Sequence, residues 1–276
     1  MSVTEPTHTI DIASGRHGGA EQQASIRIID IEQRFAPPNQ PAFNALEAVS
    51  FDIGPTEFCS IVGPSGCGKS TVLNMVAGLL RPTSGRIQAL GKPVTKVNTE
   101  VGYVTQDSNL LPWLTTAKNI ELPLKIRGFA KSERERLVAE WIGLVGLEGF
   151  ESSYPHQLSG GMQKRCAIAR TLVYDPEVLL LDEPFGALDA ITKTVLQGVL
   201  LDLWSAKPRS VLFVTHDLNE AITLSDKVVV MTKRPGTVKA IVDIDLPRPR
   251  NVYEIGSDPR FGELHHELWS LFKSEI

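Results

Sequence analysis

The sequence predicts an α/β fold, with antiparallel strands at its N-terminal side and a helical region inserted midway. Three observations point there. The runs "FCSIV" (58–62), "VLLLD" (178–182), "SVLFVTH" (210–216) and "KVVVM" (227–231) are near-continuously apolar, as strands covered on both faces must be. Nearer the N-terminus, Val49, Phe51 and Ile53 alternate with polar neighbours, the pattern of a half-exposed strand. Between these stretches apolar residues recur at helical spacing, as at Leu137, Trp141, Leu144 and Val145.

In chain order, residues 1–24 are rich in Gly, Gln, Ser and His and poor in large apolar groups, so a mobile tail is expected. The main domain is expected over 25–245. It opens with a strand at "IRIIDIEQRF" (26–35), a proline-rich turn "APPNQPAF" (36–43) and a second strand in "ALEAVSFDIG" (45–54). "STVLNMVAGLL" (70–80) reads as a helix following the strand at 58–62, and "VGYV" as a further strand. A helical subdomain is expected at about 107–165. Within it, Ser132 with Glu135 three residues on has the form of a capping box, and the Glu/Arg cluster at 133–136 reads as a solvated helix face. A C-terminal extension is expected over 246–276. Its helix would be capped by Asp258, with Pro259 at the first position and an apolar stripe of Phe261, Leu264, Leu268 and Leu271. His265 and His266 are adjacent and so diverge by about 100° on a helix. They read as an exposed pair, not a metal site.

Composition narrows the function classes. The 276 residues carry 42% hydrophobic and 22% charged side chains, an ordinary globular make-up, and a net charge of −4. That balance argues against a general nucleic-acid binder. Cys59, Cys67 and Cys166 are an odd set with no paired spacing, which favours a reducing compartment over disulfides or zinc. No apolar run approaches the ~18 residues of a membrane helix, and the first residues lack the basic and apolar regions of a signal peptide. The expected protein does not span a membrane but is able to sit against one.

The chemistry begins with "GPSGCGKST" (63–71), which fits G-x-x-x-x-G-K-[ST] between an apolar strand and a helix. In such a loop Gly63, Pro64, Ser65, Gly66, Cys67 and Gly68 bring backbone amides around phosphates. Lys69 reaches the terminal phosphates, and Ser70, followed by Thr71, offers a hydroxyl to magnesium. "VLLLDEP" supplies the rest: Asp182 at a strand end to hold magnesium, then Glu183 to orient or deprotonate the attacking water. Ligands bind at the carboxyl ends of strands in such sheets. His216 closes another buried strand and is placed to contact a γ-phosphate, while Gln106 closes a strand-like run with a carbonyl suited to magnesium or water. A second anion site is written in "LSGGM" (158–162), where Ser159, Gly160 and Gly161 open a helix.

Together, "GPSGCGKST", Gln106, "LSGGM", "LLLDEP", "ALD" (187–189) and His216 resemble, in order and spacing, an ATP-binding cassette (ABC) protein, from about residue 26 onward. The resemblance implies a P-loop NTPase core with an N-terminal antiparallel β subdomain and an inserted helical subdomain. It implies ATP and Mg2+, with Phe35 stacking on adenine (Phe43 being the alternative) and Asp189 in the loop linking two halves of a dimer. It further implies that two copies join head to tail, so that Ser159, Gly160 and Gly161 bind the γ-phosphate held by the partner copy's Lys69. Met162 departs from the Gln most often found after LSGG. "KRPGTV" (233–238), "DIDLPRPR" (243–250) and "DPRFGELHHELWSLF" (258–272) resemble nitrate, sulfonate and taurine importer ATPases. The implied protein is a peripheral ATPase at the cytoplasmic face of the cell membrane, joined to permease subunits and through them to a solute-binding protein, without nucleic acid. Leu110, Leu111, Pro112, Trp113 and Leu114 would either pack between subdomains or line a groove for a permease helix.

Alternatives stay open. Repair ATPases of this kind insert a long coiled coil where this chain has a short helical region. Translation members usually carry two cassettes, and exporters often fuse membrane helices to the cassette. A phosphotransferase with a simple P-loop would leave LSGG and His216 without a role.

Overall fold

The structure is a computed structural model that describes residues 24–38, 41–186 and 188–275. The expected mobile tail, 1–24, falls almost wholly outside them.

Strand β1 (Ile26–Phe35) pairs antiparallel with β2 (Phe43–Ile53), from Ile26 opposite Ile53 to Phe35 opposite Phe43. Alternation along β2 buries Val49, Phe51 and Ile53. Next come β3 (Phe58–Val62), helix α1 (Lys69–Val76), β4 (Ser84–Ala89), the two-residue β5 (Lys92–Pro93) and β6 (Val101–Val104). The first sheet has the order β2-β1-β4-β5 and is antiparallel throughout.

Helices α2 (Thr116–Ile126), α3 (Lys131–Leu144) and α4 (Gly160–Leu172) form the inserted helical region; α4 runs past residue 165. The cap expected at Ser132 is not formed. Ala130 is the N-cap, in extended backbone and without a side-chain cap bond, so Ser132 lies inside the first turn. The start is set instead by Arg134, whose guanidinium donates to Phe129 O (2.7 Å) and whose amide donates to Ala130 O (3.0 Å).

The second half holds β7 (Val178–Asp182), α5 (Ala190–Ala206), β8 (Ser210–Val214), α6 (Leu218–Leu224), β9 (Lys227–Met231), β10 (Val238–Asp243) and α7 (Pro259–Phe272). The six-stranded sheet has the order β10-β9-β3-β8-β7-β6, parallel except for β10. Every residue of β3, β7 and β8 is buried. Helices therefore cover both faces, which is why these strands read as unbroken apolar runs.

This order positions the site. β3, β8, β7 and β6 are neighbours, in register so that Ile61 and Asp182 both lie beside Val214 and Val104 beside Leu181. The segments that follow them, carrying residues 63–71, 216, 183 and 106, leave the sheet at one edge.

The C-terminal segment is tied back onto the parallel sheet. Asp258 caps α7 by accepting from Arg260 N (2.8 Å), with Pro259 at the first position. Leu264 and Leu268 are fully buried against α6, β9 and β10, and Phe261 and Leu271 pack beside them. Phe272 is also buried, beyond the expected stripe. Ahead of it, the buried Arg250 guanidinium donates to five carbonyls, those of Ile222, Thr223, Ser225, Ile244 and Leu246. His265 is half-buried and His266 exposed. Among the described residues, no three His, Cys, Asp or Glu side chains gather to hold a metal ion.

Candidate functional site

Val62 ends β3, the chain turns through 63–68, and α1 begins at Lys69. The turn needs glycine where φ is positive: Gly66 (76°) and Gly68 (105°). A Cβ at Gly66 would meet nothing within 4 Å, since Gly66 and Ser65 form the exposed tip. At Gly63 a Cβ would lie 2.8 Å from Cys67 Sγ, so the loop closes tightly on itself. Lys69 is buried, and its Nζ donates to Gly63 O (2.8 Å) and Pro64 O (3.0 Å). The unpaired amides of α1's first turn open into the same loop, a geometry that favours phosphate.

Behind the loop lies a residue that sequence reasoning missed. Gly236 is buried against it, so that a Cβ there would stand 2.0 Å from Cys67 O. Its amide donates to Ala45 O (2.9 Å), and its carbonyl accepts from Glu47 N (3.0 Å). The segment 233–238 is thus a wall of the phosphate loop. The sequence marks this segment only by its resemblance to importer ATPases and not as part of the phosphate site, because the fit is made by backbone from distant parts of the chain.

Asp182 is almost wholly buried at the end of β7 and accepts from Ser70 Oγ (3.0 Å). Burial pushes its carboxyl above the usual range; the Ser70 hydrogen bond opposes this, and Glu183 adds like-charge repulsion. A hydroxyl and a carboxylate side by side beneath a phosphate loop form a fitting oxygen donor set for magnesium.

Glu183 has a positive φ of 43°, a strained conformation for a residue with a side chain. Its amide donates to Val214 O (2.9 Å), which anchors the turn on β8. Its carboxylate meets two neighbours, each 3.4 Å from Oε2: Gln106 Nε2, which donates, and His216 Nδ1. Gln106 and His216 are exposed and Glu183 half-buried. Three side chains from three adjacent strand ends therefore surround one open position beside Ser70 and Asp182.

The loop carrying His216 is braced by a network that no motif announced. Lys193 Nζ on α5 donates to Asp217 Oδ2 and lies as close to Glu220 Oε1, both at 2.6 Å. Thr215 Oγ1 donates to the buried Glu220 carboxylate, and Asp217 caps α6.

Ser159 caps α4, accepting from Met162 N (3.3 Å). Gly160 is exposed, and a Cβ there would meet nothing within 4 Å. Met162 packs its side chain onto the core, while Ser159 and Gly160 stay exposed. Among the described residues, no hydrogen bond joins Ser159, Gly160 or Gly161 to the segment from Gly63 to Thr71. Asp189 is exposed and caps α5, accepting from Thr192 N (3.0 Å), which holds its carboxyl below the usual range.

Phe35 and Phe43 are not separate candidates. Their rings pack at 5.7 Å, and the Arg234 guanidinium covers Phe43 at 4.5 Å. In the segment 110–114, Leu110 packs on the core and Leu111 is half-buried, its amide donating to Asn119 Oδ1 (2.8 Å). Leu111 is therefore partly packed in, and Trp113, 69% exposed, is the apolar side chain of this segment presented to solvent.

A family model described as ABC transporter matches residues 46–186. An uncharacterized ABC transporter ATP-binding protein of Methanocaldococcus jannaschii is 47% identical over 232 residues, 84% of this chain and 85% of its own. An aliphatic sulfonates import ATP-binding protein of Bacillus cereus is 43% identical over 223 residues, 81% of this chain and 88% of its own. Among solved structures, a dimeric post-hydrolysis state of the ATP-binding cassette MJ0796 bound to ADP and Pi matches with a TM-score of 0.73 at 31% identity. That match covers 80% of this chain and all of the other. With these similarities added to the phosphate loop and the carboxylates beside it, the chain belongs to the ABC transporter ATP-binding proteins and is an ATP-hydrolysing cassette.

Proposed function

We propose that this cassette is the energy-coupling subunit of a membrane importer for a small anion or sulfonate, working as two copies with Mg-ATP between them. One observation carries the reading: the phosphate loop, Asp182, Glu183, Gln106 and His216 share one sheet edge, while among the described residues the LSGG loop of the same chain has no hydrogen bond to that loop. A second copy, turned head to tail, supplies what the cluster lacks.

In this reading Lys69 exchanges its loop carbonyls for the terminal phosphates, and the α1 amides hold the rest. Ser70 and Asp182 would hold magnesium, with Gln106 at its edge; the ion supplies charge neutralisation on the phosphates. Glu183 accepts a proton or hydrogen bond from the attacking water, and His216 and Gln106 fix where that water lies. Ser159, Gly160 and Gly161 close the partner's site, with Asp189 at the junction. The Phe35–Phe43 corner receives the adenine.

Import is supported by likeness to the sulfonate import proteins. Among the described residues no helix is long and apolar enough to cross a membrane. The membrane path then belongs to permease subunits, docked on this subunit from the cytoplasmic face and fed by a solute-binding protein. Trp113, exposed on the segment that follows Gln106, is the side chain best placed to enter such a contact.

The test is uptake in the host. Deleting the gene should abolish ATP-dependent uptake of an aliphatic sulfonate, taurine or nitrate, and the parent gene should restore it. A Trp113→Glu copy should bind ATP and fold like the parent, yet fail to restore uptake or to co-purify with the permease. Unimpaired uptake of all three solutes in the deletion strain would count against the import reading. Normal uptake with folded Trp113→Glu would remove Trp113 from the contact.

A further inference from the structure

Lys164, on α4, is only 2% exposed. A buried charge normally sits against an opposite charge. Among the described residues, Lys164 has no carboxylate within ion-pair distance. Its Nζ instead donates to two backbone carbonyls, Thr105 O and Gln106 O, each at 2.8 Å. Burial pushes its pKa down, and the more distant charges of Asp182, Asp107 and Glu183 oppose that. Packing alone would be met by an apolar side chain of similar length, so the donor and the charge need another explanation.

The same helix holds the rest of that loop. Arg170 donates to Asn109 O (2.8 Å) and Ser108 O (3.1 Å). The remaining carbonyl, Asp107 O, is taken within the loop by Thr105 Oγ1 (2.7 Å). The backbone of 105–109 is therefore bound to α4, while the Gln106 side chain reaches out of that unit to Glu183 on the sheet (3.4 Å). Lys164 also stands one turn, about 6 Å, from the helix start at Gly160. A movement of the Ser159–Gly161 end is thus carried to Gln106 over a single rigid turn.

We infer that Lys164 is a positioning residue that links the two ATP sites, by fixing Gln106 of one site to the LSGG loop that the same chain offers to the other. This rests on the two-copy reading above. When Ser159 meets a phosphate in the partner's site, α4 shifts. Lys164 then draws the Gln106 backbone with it, altering how Gln106 and the ammonium face Glu183. Each site thereby senses whether the other holds ATP, a reciprocal coupling.

The test is a graded series on the full chain: Lys164→Arg keeps several donors and the charge, Lys164→Gln keeps one shorter donor, and Lys164→Met keeps only the length. Folding is checked by circular dichroism and thermal melting. Steady-state ATPase rates across ATP concentration give kcat, KM and the Hill coefficient, and hydrogen exchange is read over 105–109 and over α4. For Lys164→Met we expect kcat to fall about ten-fold or more with little change in KM, and the Hill coefficient to fall toward 1. Exchange should rise over 105–109 but not within α4. Lys164→Arg should restore most of the kcat and cooperativity, with Lys164→Gln between. A merely structural lysine would lower the melting temperature and loosen α4 without changing cooperativity, and that result overturns the proposal. So does parental kcat and exchange in Lys164→Met. If that variant does not fold, Lys164→Gln decides: raised exchange over 105–109 with reduced kcat supports the proposal, and parental values of both refute it. A parent chain that does not hydrolyse Mg-ATP would sink the ATPase reading itself, a distinct outcome.

Discussion

Glu183 is held in a conformation that costs a side-chain-bearing residue about 1–3 kcal/mol, and it is kept there by its amide bond to Val214 O. The turn aims its carboxylate between Gln106 and His216 and away from the buried Asp182. The two acids are thus separated in function by position: Asp182 faces Ser70, and Glu183 faces the open side. Glu183→Gln keeps the shape and removes the base, so Mg-ATP binding should persist while hydrolysis falls by about 10²–10⁴-fold. Comparing equilibrium ATP binding with single-turnover hydrolysis checks this; near-parental hydrolysis would remove Glu183 from the role. Lys69→Ala should fail in the opposite way, losing most nucleotide binding because the phosphate-facing cation is gone. Both residues were legible because each is written into a contiguous motif at a strand end. Lys193 and Lys164 were not. Their partners, at 217, 220, 105 and 106, are distant in sequence, and lysine on a helix usually means a solvated face.

At the scale of elements, the strands buried on both faces were the most legible part, since they leave a plain apolar signature, whereas the less buried β4, β5 and β10 were not read. The order of the strands was not legible, and that order builds the site. Gln106, Glu183 and His216 are separated by tens to more than a hundred residues, yet they meet because β6, β7 and β8 are neighbours. Helix starts were read with mixed success. Asp258 caps α7 as its sequence suggests, whereas Ser132 does not cap α3, because Arg134 had already bound the preceding linker. Segment 233–238 stood out in the sequence only as a family resemblance, yet it serves as a wall of the phosphate loop. Gly236→Ala should drive a methyl into Cys67 O and displace the phosphate loop. The variant should fold, because the clash is local, and should bind Mg-ATP about ten-fold or more weakly by equilibrium titration. Unchanged affinity would show that the loop tolerates the shift.

At the scale of the whole molecule, the chain presents a phosphate loop with its carboxylates and, separately, an LSGG loop with Ser159 and Gly160 exposed. A solved relative of the same fold is a dimer bound to ADP and Pi. The most direct measurement is the ATPase activity of mixed copies. Ser159→Arg should block the γ-phosphate position offered to a partner, and Lys69→Ala should disable the chain's own phosphate loop, so each should be inactive alone. A mixed dimer concentrates both lesions in one composite site and leaves the other intact. With heterodimers confirmed by differential tags, the mixture should recover activity, at most about a quarter of the parental rate, since half of the dimers are mixed and each has one intact site of two. No recovery with heterodimers present would count against composite sites that work independently, and full activity of Ser159→Arg alone would contradict an ATPase whose sites are shared between two copies.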